Sequence, residues 1–460
     1  MLAGITTPAP PRPLSPAIIS FSTRTHLSNL QLLLPKPPPQ PPPQPPPPPP
    51  PLPLPTTKKP RFNLKLPSFL CPPLTGDSSS SSSDNTISPR TLTHLRHLLS
   101  SPPLPSPKNN ISSHWHLYHG SGDWSNLLDP LDENLRRELI RYGELIQSAY
   151  QSFHSSTSIS LPSHHSYRPT QTLFATSSIP LPPRFTNRSN PIGYIAVCDD
   201  PTELRRMGRR DILIVLRGTS TLLEWAENFR ANLVPLDSDD VQVECGFRSL
   251  YKTSGDGIPS LSSSIIAEVQ RLLNLYSGEN LSITVTGHSL GAALAVLVAD
   301  ELSMTCSSSS SSSTNGDVPI AVFSFGGPRV GNRAFADRVR RRGVRVLRVV
   351  NAGDVVTKVP GVLPREEEEE PWHVLHGWLD GYAHVGRELR VDSRVSPYLR
   401  PNPDPACCHD LEAYLHLVDG YLGSDSPFRS NAKRSLVKLF SQQGSNVKKP
   451  FVSTARALGF

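Results

Sequence analysis

The 460-residue sequence lacks long apolar runs, has few cysteines, and contains no acidic residue before position 77. No run approaches the roughly 18 apolar residues that span a bilayer, so the sequence predicts no transmembrane helix. The six cysteines show neither C-x-x-C spacing nor the density of a disulfide framework. Cys407-Cys408-His409-Asp410 resembles a ligand set, but adjacent cysteines rarely converge on one ion, so no metal is expected.

The net charge of +7 comes from the first part of the chain. Residues 1–76 hold seven of the 46 Lys and Arg residues and no Asp or Glu, which leaves 39 basic against 39 acidic residues from Asp77 onward. A neutral body has no electrostatic footprint for nucleic acid, so no nucleic-acid partner is expected.

The acid-free leader, residues 1–76, predicts a disordered transit peptide. It lacks the compact apolar core and small-residue cleavage site of a secretory signal, and it shows no Arg-rich amphipathic helix, which favours a plastid over a mitochondrial destination. Its run PPPQPPPQPPPPPPPLPLP, residues 37–55, is typical of polyproline II. This run is either a docking site for a proline-binding module or, as we favour, part of the leader. Residues 77–111 predict a Ser/Pro-rich linker, and 446–460 a C-terminal tail.

Residues 112–445 are predicted to form an α/β domain. Helical spacing of apolar residues appears at 130–150 and 263–276. Continuous apolar runs of strand length are typical of parallel strands that are buried on both faces. Their alternation with helices predicts a mostly parallel central sheet covered by helices on both faces. The strand candidates are Asp211–Leu216, Leu281–Thr286, Ile320–Phe325 and Val344–Val350.

A serine lies where an apolar strand turns into an apolar helix. Residues 281–302, LSITVTGHSLGAALAVLVADEL, change from β-branched residues to an Ala/Leu/Val run around Gly287-His288-Ser289-Leu290-Gly291. The context is typical of a nucleophile elbow, in which the serine takes a positive φ and the glycines let two backbones pass closely. The alternative is an ordinary serine N-cap at a tight turn. We predict that Ser289 is a nucleophile.

A serine hydroxyl needs a base, and the base needs an orienting carboxylate. In α/β hydrolases the carboxylate and then the histidine follow the serine in the chain. Asp354 lies in a loop just past the strand candidate 344–350, where such a carboxylate is expected. His409 precedes the apolar-periodic helix Leu411–Val418, and His416 lies inside it. We favour His409 as the base, and the residues themselves leave His416 as the alternative.

An acyl-transfer enzyme also needs two donors that stabilise the tetrahedral oxyanion. The first candidate is the backbone N–H of Leu290, the residue after the nucleophile. The second is the backbone N–H of Thr219, in Arg217-Gly218-Thr219, which follows the strand candidate Asp211–Leu216.

Seven segments of the sequence, spread over about residues 115–440, share one resemblance. In chain order they are GSGDWSNLLDPLDENLRRELIRYGE, RRDILIVLRGTSTLLEWAENFRANL, VECGF, GHSLG, SFGGPRVGN, NAGD and CCHDLEAYLHLVDG. They resemble the signatures of class 3 lipases, and more closely those of plant class I phospholipase A1 of the plastid beta type.

The resemblance implies an α/β-hydrolase fold with Ser289, Asp354 and His409 as the triad, an oxyanion hole at Thr219 and Leu290, and no metal or diffusible cofactor. It also implies a lid helix in 220–228, where Leu222, Leu223 and Trp225 would contact lipid or, alternatively, pack into the core.

The activity implied by the resemblance is hydrolysis of the sn-1 acyl ester of membrane glycerolipids in the plastid. Phosphatidylcholine is the first candidate substrate, followed by galactolipids and triacylglycerols, with peripheral contact at the membrane surface and no obligate protein partner. The alternatives are a catalytically inactive lipase-like scaffold and an acyltransferase that uses the same acyl-enzyme.

Overall fold

A seven-stranded, mostly parallel sheet forms the centre of the fold. The computed structural model describes residues 89–100, 109–155, 166–176, 189–218, 232–309, 318–360 and 381–457. The strands are β1 Tyr167–Thr176, β2 Ser189–Cys198, β3 Arg210–Leu216, β4 Leu233–Ser238, β5 Val241–Glu244, β6 Leu281–His288, β7 Ile320–Phe325, β8 Gly331–Asn332, β9 Arg345–Asn351, β10 Tyr382–Ala383 and β11 Arg387–Val391. The helices are α1 Pro89–Ser100, α2 Trp115–Tyr118, α3 Glu133–Ser155, α4 Pro201–Met207, α5 Cys245–Lys252, α6 Leu261–Leu275, α7 Leu290–Ser309, α8 Arg333–Arg341, α9 Pro405–His409, α10 Leu411–Gly420, α11 Leu436–Gln442 and α12 Lys449–Ala457.

The large sheet has the strand order β1-β2-β3-β6-β7-β9-β11. Strands β3, β6, β7, β9 and β11 are parallel to one another, and β1 and β2 extend the sheet with antiparallel pairing. All four predicted strands are present in this parallel part. The predicted α/β architecture is therefore confirmed.

Helices cover both faces of the large sheet. On one face α3 and α10 pack on the strands, and α3 presents Leu135, Leu139 and Ile146 at helical spacing. On the other face lie α5, α6, α7 and α8. Helix α7 is apolar around its whole circumference at residues 292–299, and all eight of those residues are buried, as expected of a helix enclosed between sheet and helices.

The second sheet and the helices α1 and α12 were not predicted from the sequence. Short strands form an antiparallel sheet in the order β10-β8-β5-β4. Helix α1 falls within the predicted linker 77–111, and its Leu95, Leu98 and Leu99 pack with residues of α11 and with Phe451 of α12. The spacing of these leucines is helical, but the Ser/Pro-rich composition of 77–111 favoured the prediction of a linker. No helix among the described residues is both long and apolar enough to span a bilayer.

Candidate active site

Ser289 occupies a strained turn between β6 and α7. Its φ is 58°, in the left-handed region that non-glycine residues rarely adopt. A Cβ on Gly287 would lie 2.3 Å from the Gly291 carbonyl oxygen, and one on Gly291 would lie 2.3 Å from the Leu216 carbonyl oxygen. Glycine is therefore required on both sides of Ser289, because the backbones of β6, α7 and β3 pass too closely for a side chain.

Asp354 lies in the turn that follows β9, at the same edge of the sheet as Ser289. Its side chain is fully buried. Its Oδ1 accepts a hydrogen bond from the Val356 N–H at 2.9 Å, and its backbone N–H donates to the Asn351 carbonyl oxygen at 2.9 Å. These bonds fix the carboxylate and leave Oδ2 for other donors.

His409 is the last residue of α9, and the first turns of both α9 and α10 are capped by aspartates. Asp404 accepts from the Cys407 N–H at 2.7 Å at the start of α9, and Asp410 accepts from the Glu412 N–H at 2.8 Å at the start of α10. Such caps satisfy the unpaired N–H groups of a helix start. The two caps fix the positions of α9 and α10, which are separated by Asp410 alone, and with them the backbone of His409.

The structure brings Ser289, His409 and Asp354 into one hydrogen-bonded line. His409 Nε2 lies 2.8 Å from Ser289 Oγ, and His409 Nδ1 lies 2.8 Å from Asp354 Oδ2. Because a carboxylate accepts hydrogen bonds, Nδ1 carries the imidazole proton and Nε2 is free to accept the serine proton. This is the order of groups that activates a serine hydroxyl.

The alternative histidine, His416, lies elsewhere. It is fully buried in α10, where its Nε2 lies 3.0 Å from Ser396 Oγ. Burial lowers the pKa of His416 to about 4. His416 therefore packs as a neutral core side chain and has no contact with Ser289 or Asp354.

Two further residues, Tyr414 and Asn351, hold the Asp354 and His409 segments together, and no local sequence pattern predicts a role for either. The Tyr414 hydroxyl donates to Asp354 Oδ2 at 2.6 Å and accepts from the Asn351 N–H at 3.1 Å. Asn351 Nδ2 donates to the Cys408 carbonyl oxygen at 2.8 Å. Burial and the nearby Asp354 carboxylate raise the pKa of Tyr414 well above its usual value, so its hydroxyl remains a donor.

The predicted oxyanion hole falls partly within the described residues. Leu290 is the first residue of α7, so its N–H has no acceptor within the helix. Thr219 and the predicted lid residues Leu222, Leu223 and Trp225 lie outside the described residues. Gly218, which precedes Thr219, approaches Ser289 closely, since a Cβ on Gly218 would lie 2.8 Å from Ser289 Cβ.

Comparison with known proteins identifies the family to which the chain belongs. Residues 213–363 match the family model described as lipase (class 3). The chloroplastic phospholipase A(1) DAD1 of Arabidopsis thaliana is 41% identical over 373 residues, which cover 71% of this chain and 80% of that protein. The chain belongs to the class 3 lipases.

One further relative and one solved structure are similar to this class 3 lipase. The chloroplastic galactolipase DONGLE of Arabidopsis thaliana is 37% identical over 67% of this chain and 70% of its own length. Among solved structures, the native propeptide complex of Rhizomucor miehei lipase has a TM-score of 0.40 at 22% identity, over 62% of this chain and 79% of that chain. The names of the two Arabidopsis relatives bear out the resemblance to plant phospholipase A1, and membership of the family makes the chain an ester hydrolase. The beta subtype stays a prediction.

A second hydrogen-bonded line in this lipase runs beside the first. The Tyr150 hydroxyl accepts from the Gly218 N–H at 2.8 Å and lies 2.8 Å from His288 Nδ1. His288 Nε2 lies 2.8 Å from the carbonyl oxygen of His409. No local sequence pattern marks Tyr150, which lies in the last two turns of the amphipathic helix α3.

Proposed function

We propose that this class 3 lipase hydrolyses an acyl ester of membrane glycerolipids, with Ser289 as nucleophile, His409 as base and Asp354 as the group that orients His409. The observation that carries the proposal is the continuous line of hydrogen bonds from Ser289 Oγ through the imidazole to Asp354 Oδ2. A buried carboxylate that fixes the tautomer of a histidine beside a strained serine is an arrangement suited to acyl transfer.

The reaction proceeds in two steps. Ser289 Oγ attacks the ester carbonyl carbon while His409 Nε2 takes the serine proton, and the N–H groups of Leu290 and Thr219 stabilise the oxyanion. The protonated His409 then gives its proton to the departing glycerol oxygen, which leaves an acyl-serine. Water attacks the acyl-serine with His409 again as base, and the fatty acid is released.

The substrate class rests on the relatives. Their names, phospholipase A(1) and galactolipase, support phospholipids and galactolipids as substrates, with the sn-1 ester of phosphatidylcholine first and triacylglycerols as a further candidate. The relatives are named chloroplastic, which agrees with the plastid destination predicted from the acid-free leader. The apolar residues Leu222, Leu223 and Trp225 would contact the lipid surface.

The test uses the full chain and vesicles of phosphatidylcholine or galactolipid that carry different acyl chains at sn-1 and sn-2. We expect release of the sn-1 acid, and a loss of at least about 10³-fold in kcat for Ser289→Ala because the nucleophile is absent. Ser441→Ala, at an exposed serine of α11, is the matched control and should retain full activity. Equal release by Ser289→Ala and the wild type would refute the assignment.

A further inference from the structure

The hydroxyl of Tyr150 joins two segments of the active site that are far apart in the chain. One is the end of β3, where Gly218 precedes the proposed oxyanion donor Thr219. The other is the segment of the proposed base, which is reached through the side chain of His288 and the carbonyl oxygen of His409. The same hydroxyl thus contacts both Gly218 and His288, the residue that precedes Ser289.

The donors and acceptors in this second line run in one direction. The carbonyl oxygen of His409 can only accept, so His288 Nε2 carries the imidazole proton and Nδ1 accepts. The Tyr150 hydroxyl therefore donates to Nδ1 and accepts from the Gly218 N–H. Burial and the nearby His409 lower the pKa of His288 to about 3, and burial raises the pKa of Tyr150, so both groups stay neutral and the direction persists near neutral pH.

The backbone of Gly218 lies in close contact with Tyr150 and Ser289, so it has little room to move. A Cβ on Gly218 would lie 2.6 Å from the Tyr150 hydroxyl oxygen and 2.8 Å from Ser289 Cβ. The backbone at Gly218 is therefore enclosed between Tyr150 and the nucleophile, and its N–H has Tyr150 as acceptor. A donor of the oxyanion hole must stay within a few tenths of an ångström of its place to act.

We propose that Tyr150 is a positioning residue that holds the backbone of Gly218, the residue before the proposed oxyanion donor, at a fixed place beside Ser289. The inference rests on the proposed function, since it assigns Tyr150 to the catalytic machinery built around Ser289. Tyr150 does not touch the reacting atoms. It acts through the Gly218 N–H and through His288.

Tyr150→Phe tests the inference, because it removes the hydroxyl and keeps the ring. Loss of a direct oxyanion donor costs about 10²- to 10³-fold in kcat, and a donor that is merely displaced should cost less, about 10- to 30-fold. We expect that loss in kcat for a soluble p-nitrophenyl ester with KM within about 2-fold. We expect a parallel loss in the rate at which a p-nitrophenyl phosphonate labels Ser289, because phosphonylation also needs the oxyanion hole.

Tyr194→Phe is the matched control. Tyr194 is fully buried, and its hydroxyl donates to the Leu145 carbonyl oxygen at 2.9 Å, so its loss also removes one buried hydrogen bond. A merely structural role for Tyr150 would give both variants a similar fall in thermal midpoint and wild-type labelling rates. That result would overturn the inference.

A second variant covers the case in which Tyr150→Phe does not fold. His288→Asn breaks the same line at its other end, and we expect this single change to slow phosphonate labelling. Where Tyr150→Phe does fold, combining both changes should add little further loss. Full additivity in the double variant, or an unchanged rate in His288→Asn, would overturn the inference.

Phosphonate labelling needs no lipid, so it separates the two proposals. Labelling of wild-type Ser289 without hydrolysis of any glycerolipid would refute the proposed function, and the Tyr150 inference would then be decided by the labelling rates. A wild type that the phosphonate does not label would refute both.

Discussion

Three donors converge on the carboxylate of Asp354. His409 Nδ1 and the Tyr414 hydroxyl bind Oδ2, and the Val356 N–H binds Oδ1. A buried carboxylate that accepts several hydrogen bonds is held in one orientation, and this orientation in turn sets the plane of the imidazole. The orientation of the His409 imidazole therefore depends on Tyr414, although the Tyr414 hydroxyl donates its hydrogen bond to Asp354 and not to His409 or Ser289.

Replacing Tyr414 with phenylalanine should reduce activity without removing a reacting group. Asp354 Oδ2 would keep the His409 bond alone, and the Asn351 N–H would lose its acceptor. We expect kcat to fall about 10-fold and the free energy of unfolding by about 1–3 kcal/mol, the cost of a buried unsatisfied group. Ester hydrolysis and urea unfolding measure the two effects. Tyr194→Phe should lower stability alone, and an unchanged kcat in Tyr414→Phe would contradict the prediction.

Single residues differ in how far the sequence reveals them. Ser289, Asp354 and His409 could be predicted as candidate site residues because each lies at a junction that a local pattern marks, namely an elbow, the end of β9 and the start of α10. Tyr414 and Tyr150 lie inside helices with periodic apolar residues, where the sequence pattern predicts only that a tyrosine packs in the core. Their roles depend on partners 60 and 68 residues away, and no local pattern encodes those contacts.

At the scale of elements, the active site depends on how closely α7 approaches the end of β3. Gly291, in the first turn of α7, lies against the carbonyl oxygens of Leu216 and Arg217. The same strand end continues into Gly218. The contact therefore couples the start of the helix, which carries the Leu290 N–H, to the segment that carries the second proposed oxyanion donor.

Gly291→Ala tests this coupling. The added Cβ would meet the Leu216 carbonyl oxygen at 2.3 Å and the Arg217 carbonyl oxygen at 2.6 Å, and both are backbone atoms that cannot rotate away. We expect a loss of about 1–3 kcal/mol in the free energy of unfolding, as for overpacked cores, and a fall in kcat from displaced donors. Both are measured by urea unfolding and ester hydrolysis.

Gly122→Ala provides the matched control for Gly291→Ala. A Cβ on Gly122 would have no atom within 4 Å, and Gly122 is exposed. Its stability should stay within about 0.5 kcal/mol of the wild type. If Gly291→Ala were equally stable and equally active, close approach of the two elements would not be what requires glycine at that position.

Elements buried on both faces were the predictable ones. Strands β3 and β7 are almost entirely apolar because helices cover both sides of them. The edge strand β1 has a mixed burial pattern, and the four-stranded sheet consists of strands of two to six residues, too short for a period to be visible. Helix α1 was missed because its three leucines acquire a partner only when the distant helices α11 and α12 fold against them.

At the scale of the whole molecule, burial lowers the pKa of at least four histidines, namely His119 and the three considered next. Burial is the main cause in each, assisted by His409 at His288 and by Arg348 and Arg329 at His384. Their pKa values are lowered from 6.5 to about 3 at His288, about 3 at His384 and about 4 at His416. The unfolded chain would bind protons at all three near their ordinary pKa.

The fold should therefore lose stability as the pH falls from about 6.5 toward 4. In that window the unfolded state holds protons that the folded state excludes, so the stabilisation is complete above pH 6.5 and decreases on acidification. Each histidine contributes at most about 1.4 kcal/mol per pH unit. We expect urea-unfolding free energies at pH 7, 6 and 5 to show this slope. His416→Gln should reduce the slope by up to that amount, and His114→Gln, at an exposed site, should not change it. A slope that His416→Gln leaves intact would show that His416 is protonated in the folded state, because the buried imidazole would then bind its proton as readily as the unfolded chain does.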